Sequence, residues 1–277
     1  MSNELLWWWE SLVTVSLFNL AAWWHASFQL KKRQQHMPID AFNTRRWQLW
    51  LSLAYVIGCG YRSVFPVFDV PRLCLIDSPM SSVFIGRSVA TVAEICFAAQ
   101  WAMLAKEMAI NIRSPALSLG ARLILPMILV AELCSWYSVL TQSNIGHVLE
   151  ESLWAISAAI LSFTLLGTTK QQYISIKRWC LLAAFAGLVY ATYMVSIDVP
   201  MYWSRWLTDE SLGRSYLGLE QGLWDASHRW QVSMHWTDWQ SEVVWMSIYF
   251  SVGVWCSISL VHMPHQTSVR RLALRNT

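Results

Sequence analysis

Four glutamates stand in stretches otherwise apolar enough to cross a bilayer: Glu94 in ATVAEICFAAQWAM, Glu132 in PMILVAELCSWYSVL, Glu151 in HVLEESLWAISAAIL and Glu242 in SEVVWMSIYFSVGVW. A large aromatic follows each by three or four positions, namely Phe97, Trp136, Trp154 and Trp245. A carboxylate at membrane depth is costly unless it is neutral, paired or metal-bound, so four of them in separate segments are expected to meet one another or common partners. Glu94, Glu132, Glu151 and Glu242 are therefore the candidate catalytic carboxylates, with Trp154 and Trp245 as substrate-contacting aromatics.

Two arginines complete the charged set. Arg87, Thr91 and Glu94 recur at i, i+4 and i+7, which places them on one helical stripe. Arg87 and Glu94 are separated by about 10 Å along the axis, a spacing that predicts partners on other helices for each. Arg62 and Arg87 are expected to neutralise the carboxylates or to grip an anionic substrate through the planar guanidinium fork.

Histidines add a metal chemistry. His147 precedes Glu150 and Glu151 by three and four positions, and the region towards the last apolar segment reads Asp225, His228, His235, Asp238, Glu242. On helices these spacings stack imidazoles with carboxylates, which suits zinc, iron or manganese. The candidate metal ligands are His147, His228, His235 and Asp238, and the candidate cofactor is a divalent transition metal. Neither HExxH nor a CxxC occurs, which argues against those protease and thiol-redox chemistries.

The elements that must hold these residues are membrane helices. Of 277 residues 55% are hydrophobic and 13% charged, against roughly 25% charged in soluble domains. Windows of spanning length lie at Leu12–Leu30, Trp47–Phe65, Val83–Ala105, Leu117–Leu140, His147–Thr168, Trp179–Ile197 and Trp239–His262. The expected fold is all-α, a polytopic bundle of about seven transmembrane helices forming a single integral membrane domain over residues 1–277. No basic n-region precedes the first window, which reads as a retained helix rather than a signal peptide.

Fourteen of the twenty Lys and Arg residues, including all five lysines, fall in loops or near window ends on one side of this arrangement. Because basic residues near helix ends stay cytoplasmic, the N-terminus is expected outside and the C-terminus in the cytoplasm, in a plasma or inner membrane. The acidic residues lie mostly on the other side. The basic residues form short juxtamembrane clusters without a nucleic-acid motif, which excludes nucleic acid as a partner and leaves membrane lipids. Residues 66–82, with several prolines, and the Trp-rich residues 198–238 are expected to form an extracytoplasmic cap. Cys74 is the one cysteine outside the windows, with Cys59 as its candidate disulfide partner.

The inward halves of the windows are mostly Leu, Ala, Ile, Val, Phe and Trp, with few hydroxyls and no acidic residue at depth, so no polar route through the membrane is expected. The leading function is a membrane-embedded enzyme acting on a lipid or other hydrophobic small molecule at the extracytoplasmic leaflet. The alternatives are a proton- or cation-coupled transporter or receptor-like protein, and a structural subunit of a membrane complex. Composition leaves the oligomeric state open.

Overall fold

The computed structural model describes residues 2–112, 114–169 and 174–263. Arg113, Lys170, His265, Arg270, Arg271 and Arg275 lie outside these residues. The chain is all-α and 85% helical. Ten α-helices are described: α1 Asn3–Arg33, α2 Ile39–Val64, α3 Val83–Ile112, α4 Pro115–Thr141, α5 Ile145–Thr168, α6 Ile174–Tyr193, α7 Val199–Ser211, α8 Leu219–His228, α9 Trp236–Ile248 and α10 Val254–Leu260.

Among the described residues, six helical stretches are long and apolar enough to cross a membrane: Asn3–His36, Val83–Ile110, Pro115–Thr141, Ile145–Thr168, Ile176–Ser211 and Trp236–Leu260. Five of the seven windows fall in them, and a sixth, Trp239–His262, overlaps the last and runs past Leu260. The other, Trp47–Phe65, falls on α2, which is 26 residues long but less apolar. Its polar residues are placed with a purpose: Arg45, Gln48, Ser52, Tyr55, Cys59 and Arg62, spaced by three or four, are all buried. This stripe turns inward while Ile57 and Trp50 stay exposed, so α2 is amphipathic with its polar face inside.

Two compact units make up the chain, one from Met1–Gln100 with Asp225–Thr277 and the other from Trp101–Trp224. In the first, Ser2 caps α1 by accepting from the Leu5 amide, and Lys31, Lys32 and Arg33 complement the helix dipole at its far end. The core packs Leu5, Trp8 and Leu12 of α1 against Tyr55 and Val56 of α2 and Trp239, Met246 and Phe250 near the chain's last helices. A π-helical turn at Tyr249–Gly253 interrupts the run from α9 to α10. Such a turn disturbs the main-chain ladder, and here Asn19 Nδ2 donates to the Phe250 carbonyl at 2.7 Å.

The polar stripe of α2 is knitted to the same helices. Gln48 Nε2 donates to the Gln100 carbonyl and Gln100 Nε2 to the Gln48 carbonyl, at 3.0 and 2.9 Å. The Ser257 hydroxyl donates to the Gln100 side chain. Amides and hydroxyls satisfied by each other avoid the cost of burial in an apolar interior and lock helix register.

Residues 66–82 are structured within the first unit. Strands β1 Val67–Phe68 and β2 Leu73–Cys74 pair antiparallel, and β2 pairs parallel with β3 Gln231–Val232. Arg72 Nε lies 3.0 Å from Asp225, and Trp230 Nε1 donates to Asp77 at 3.0 Å. Cys59 and Cys74 are both free thiols.

In the second unit α4 begins at a Ser114 cap followed by Pro115 and ends at Gln142, whose φ of 60° is left-handed. Gly146 opens the next helix where an added Cβ would lie 2.3 Å from the Cys134 carbonyl, so only glycine lets α5 press this closely on α4. The rod from α6 continues through a π-helical turn at Met194–Asp198 into α7, beyond the window ending at Ile197. Residues 198–238 are thus partly helical, and α7 leaves Trp203 and Leu207 exposed.

Candidate functional site

The start of α5 gathers the densest chemistry of the second unit. His147 and Glu150, one turn apart, are 6% and 5% exposed, and His147 Nδ1 lies 2.8 Å from Glu150 Oε2. An imidazole that donates Nδ1–H to a carboxylate keeps Nε2 as its acceptor, and the carboxylate fixes the ring's orientation. The Tyr202 ring of α7 stands 4.9 Å from the imidazole. Across from it, Glu132 of α4 is also buried, with an oxygen within 4.8 Å of a Glu150 oxygen.

Local folding explains the convergence. Ser138 of α4 donates to the Ser143 carbonyl and accepts from the His147 amide, which ties the short turn between the helices. With Gly146 against Cys134, the first turn of α5 and the last turns of α4 come together. Beyond them Asp209 accepts from Asn144 and Arg214, both at 3.1 Å, and anchors the end of α7.

Of the sequence candidates, Glu132 and His147 belong to this group. Glu151 and Trp154 are half-buried on the adjoining face of α5. Glu150, absent from the candidate set, is the carboxylate that engages His147. Its signal was present in the HxxEE spacing, since i+3 and i+4 both meet position i, but only the packing of α5 selects between them.

The first unit holds a different constellation. Arg87 Nη2 donates to Glu94 Oε2 at 3.2 Å and Arg87 Nη1 lies 4.0 Å from Asp69. The expectation that Arg87 and Glu94 are too far apart for direct pairing is corrected: the guanidinium on its long stem bridges two helical turns. Arg62 of α2 is buried and donates to the Val67 carbonyl at 2.8 Å, with Nε lacking a hydrogen-bond partner. Glu242 of α9 accepts from Trp245 Nε1 at 2.6 Å and from the Ser241 hydroxyl at 2.9 Å, and it feels the charges of Arg62 and Asp69. Phe97 stacks on Tyr55 at 4.5 Å between ring centres.

These arginines are engaged by the protein's own acids and carbonyls. That arrangement ties Val67 and Asp69 to α2 and α3. His228, His235 and Asp238 are exposed, and Asp238 accepts from Ser233. No grouping of three ligand-bearing side chains among the described residues includes them, and His147 belongs to the other unit. The proposed four-ligand set is therefore not assembled within either unit.

Outside the spans, burial together with the nearby Asp77 carboxylate pushes the Cys74 thiol up to about 11. Burial lowers the Arg72 guanidinium, against the opposing pull of Asp225 and Asp69. Comparison with known protein families, curated proteins and solved structures gave no match.

Proposed function

We propose that this chain is a membrane-embedded enzyme acting on a lipid or other hydrophobic molecule, with His147, Glu150 and Glu132 as its acid–base centre. The observation that carries the reading is the 2.8 Å contact between two buried side chains, His147 Nδ1 and Glu150 Oε2, inside a chain with six apolar spans. A base oriented by a carboxylate contributes about 10²–10⁴-fold in rate when it sits beside the group it deprotonates. Glu132 supplies a second carboxylate to receive or return a proton, and Tyr202 walls the imidazole. α2 counts as a seventh crossing, since its polar face is buried, and the N-terminus lies outside with the C-terminus in the cytoplasm. The charge asymmetry of the loops supports that orientation, with residues 66–82 and 198–238 towards the extracytoplasmic leaflet.

The test is lipid profiling of cells lacking the chain, complemented with the wild type or with His147→Asn. A lipid that accumulates in its absence and is cleared only by the wild type identifies the substrate; clearance by His147→Asn removes the proposed base.

One observation favours a second reading, a proton- or cation-coupled carrier: the buried polar stripe of α2 runs from Arg45 to Arg62. Its Gln48 donates to the Gln100 main-chain carbonyl and its Ser52 accepts from the Ser257 hydroxyl, which suits a clamp better than a conduit. Proteoliposomes that acidify on imposing a solute gradient would favour the carrier.

A further inference from the structure

Where α1 gives way to α2, a cavity of about 460 Å³ is lined by Lys31, Gln34, Gln35, Met37, Ile39 and Phe42. Its chemistry is divided. Lys31 and the two glutamines offer cationic and neutral N–H donors, whereas Met37, Ile39 and Phe42 offer an apolar wall. Met37 and Phe42 pack on the buried cluster of Leu30, Leu49 and Val261, and Ile39 is left 67% exposed at the start of α2.

Charge at this end is one-sided. Between His25 and Arg46 the sequence has five Lys and Arg residues and a single acid, Asp40, which is exposed in the first turn of α2. His262, just past the last span, has its imidazole pushed down by burial and then by the positive fields of Arg33 and His25. A local excess of basic residues, N–H donors and an apolar wall in one hollow at the membrane surface match an amphiphile with a negative head.

We propose that this cavity binds one anionic phospholipid, its headgroup phosphate held by Lys31 and the Gln34 and Gln35 amides and its glycerol and upper acyl carbons against Met37, Ile39 and Phe42. The ammonium of Lys32, by contrast, sits 4.4 Å over the Phe28 ring and does not line the cavity.

Native mass spectrometry on the delipidated full-length protein tests this, with phosphatidylglycerol, phosphatidylcholine or inorganic phosphate added. The wild type is expected to retain one phosphatidylglycerol in preference to phosphatidylcholine, and Lys31→Gln to weaken retention about fivefold, the effect of one lysine at a membrane surface. Lys32→Gln, an equal change in net charge, should leave it unaltered, and Gln34→Ala with Gln35→Ala should weaken it with no change in charge. Equal losses in the two lysine variants would reduce the effect to diffuse attraction and overturn the site. So would equal retention of phosphatidylcholine, or displacement of the lipid by inorganic phosphate at matched concentration, which would mark a site for the free anion.

Discussion

The carboxylates of this chain divide by what they touch. Glu94 is held by Arg87, so Glu94→Gln leaves a buried guanidinium short of its partner and should cost about 3–5 kcal/mol. Replacing both, as Arg87→Met with Glu94→Leu, should recover only part of that loss, because Asp69 then lacks the guanidinium it faces, read as the melting temperature in detergent; a double variant no more stable than the single one would show that the Arg87–Glu94 pair is not what holds the region. Cys74 gives a pH signature. Its thiol ionises near 11 in the folded chain but near its ordinary value once unfolded, so the folded state holds the extra proton between those values. Stability should therefore fall as pH rises through that window, and alkylation of Cys74 at pH 8 should be slow; rapid alkylation in the folded protein would contradict the assigned burial. Residue types and spacing made Glu132 and His147 legible in the sequence. They misjudged Arg87, because the rise along a helix measures backbone separation and ignores the reach of an arginine.

At the scale of elements, two contacts set the geometry. Gly146 lets α5 close on α4, and Gly146→Ala would force the Cys134 carbonyl and Ser138 aside. We expect a loss of about 1–3 kcal/mol from that overpacking, and a drop in activity larger than the drop in folded protein, because His147 is the next residue. A melting temperature and activity both at wild-type level would show that the close approach is not required. Gln100→Leu tests the clamp between α2, α3 and α10: it removes donors to the Gln48 and Ser257 carbonyls and should destabilise by about 1–3 kcal/mol. Apolar windows made six helices legible without difficulty. α2 was harder to read because a buried polar stripe lowers its apolarity while leaving its outward face lipid-compatible, and a window average does not distinguish faces. Glu150 was missed for a related reason, since adjacent residues on a helix differ by about 100° and only the neighbouring helix decides which one is buried.

For the whole molecule, the sequence made the membrane class plain through composition and block structure, while the pairing of side chains within each unit required coordinates. If α2 crosses with the six apolar stretches, the number of crossings is odd and the two termini lie on opposite faces. Epitope tags at residues 1 and 277 should then differ in protease accessibility in intact cells, and tags on the same side would place α2 outside the membrane. The functional account rests on the oriented imidazole in the second unit. Its most direct measurement is the turnover rate, on the lipid identified by profiling, of purified Glu150→Gln and Glu151→Gln in lipid nanodiscs. The account predicts that Glu150→Gln loses about 10²-fold or more while Glu151→Gln stays close to wild type; a fully active Glu150→Gln variant would contradict it.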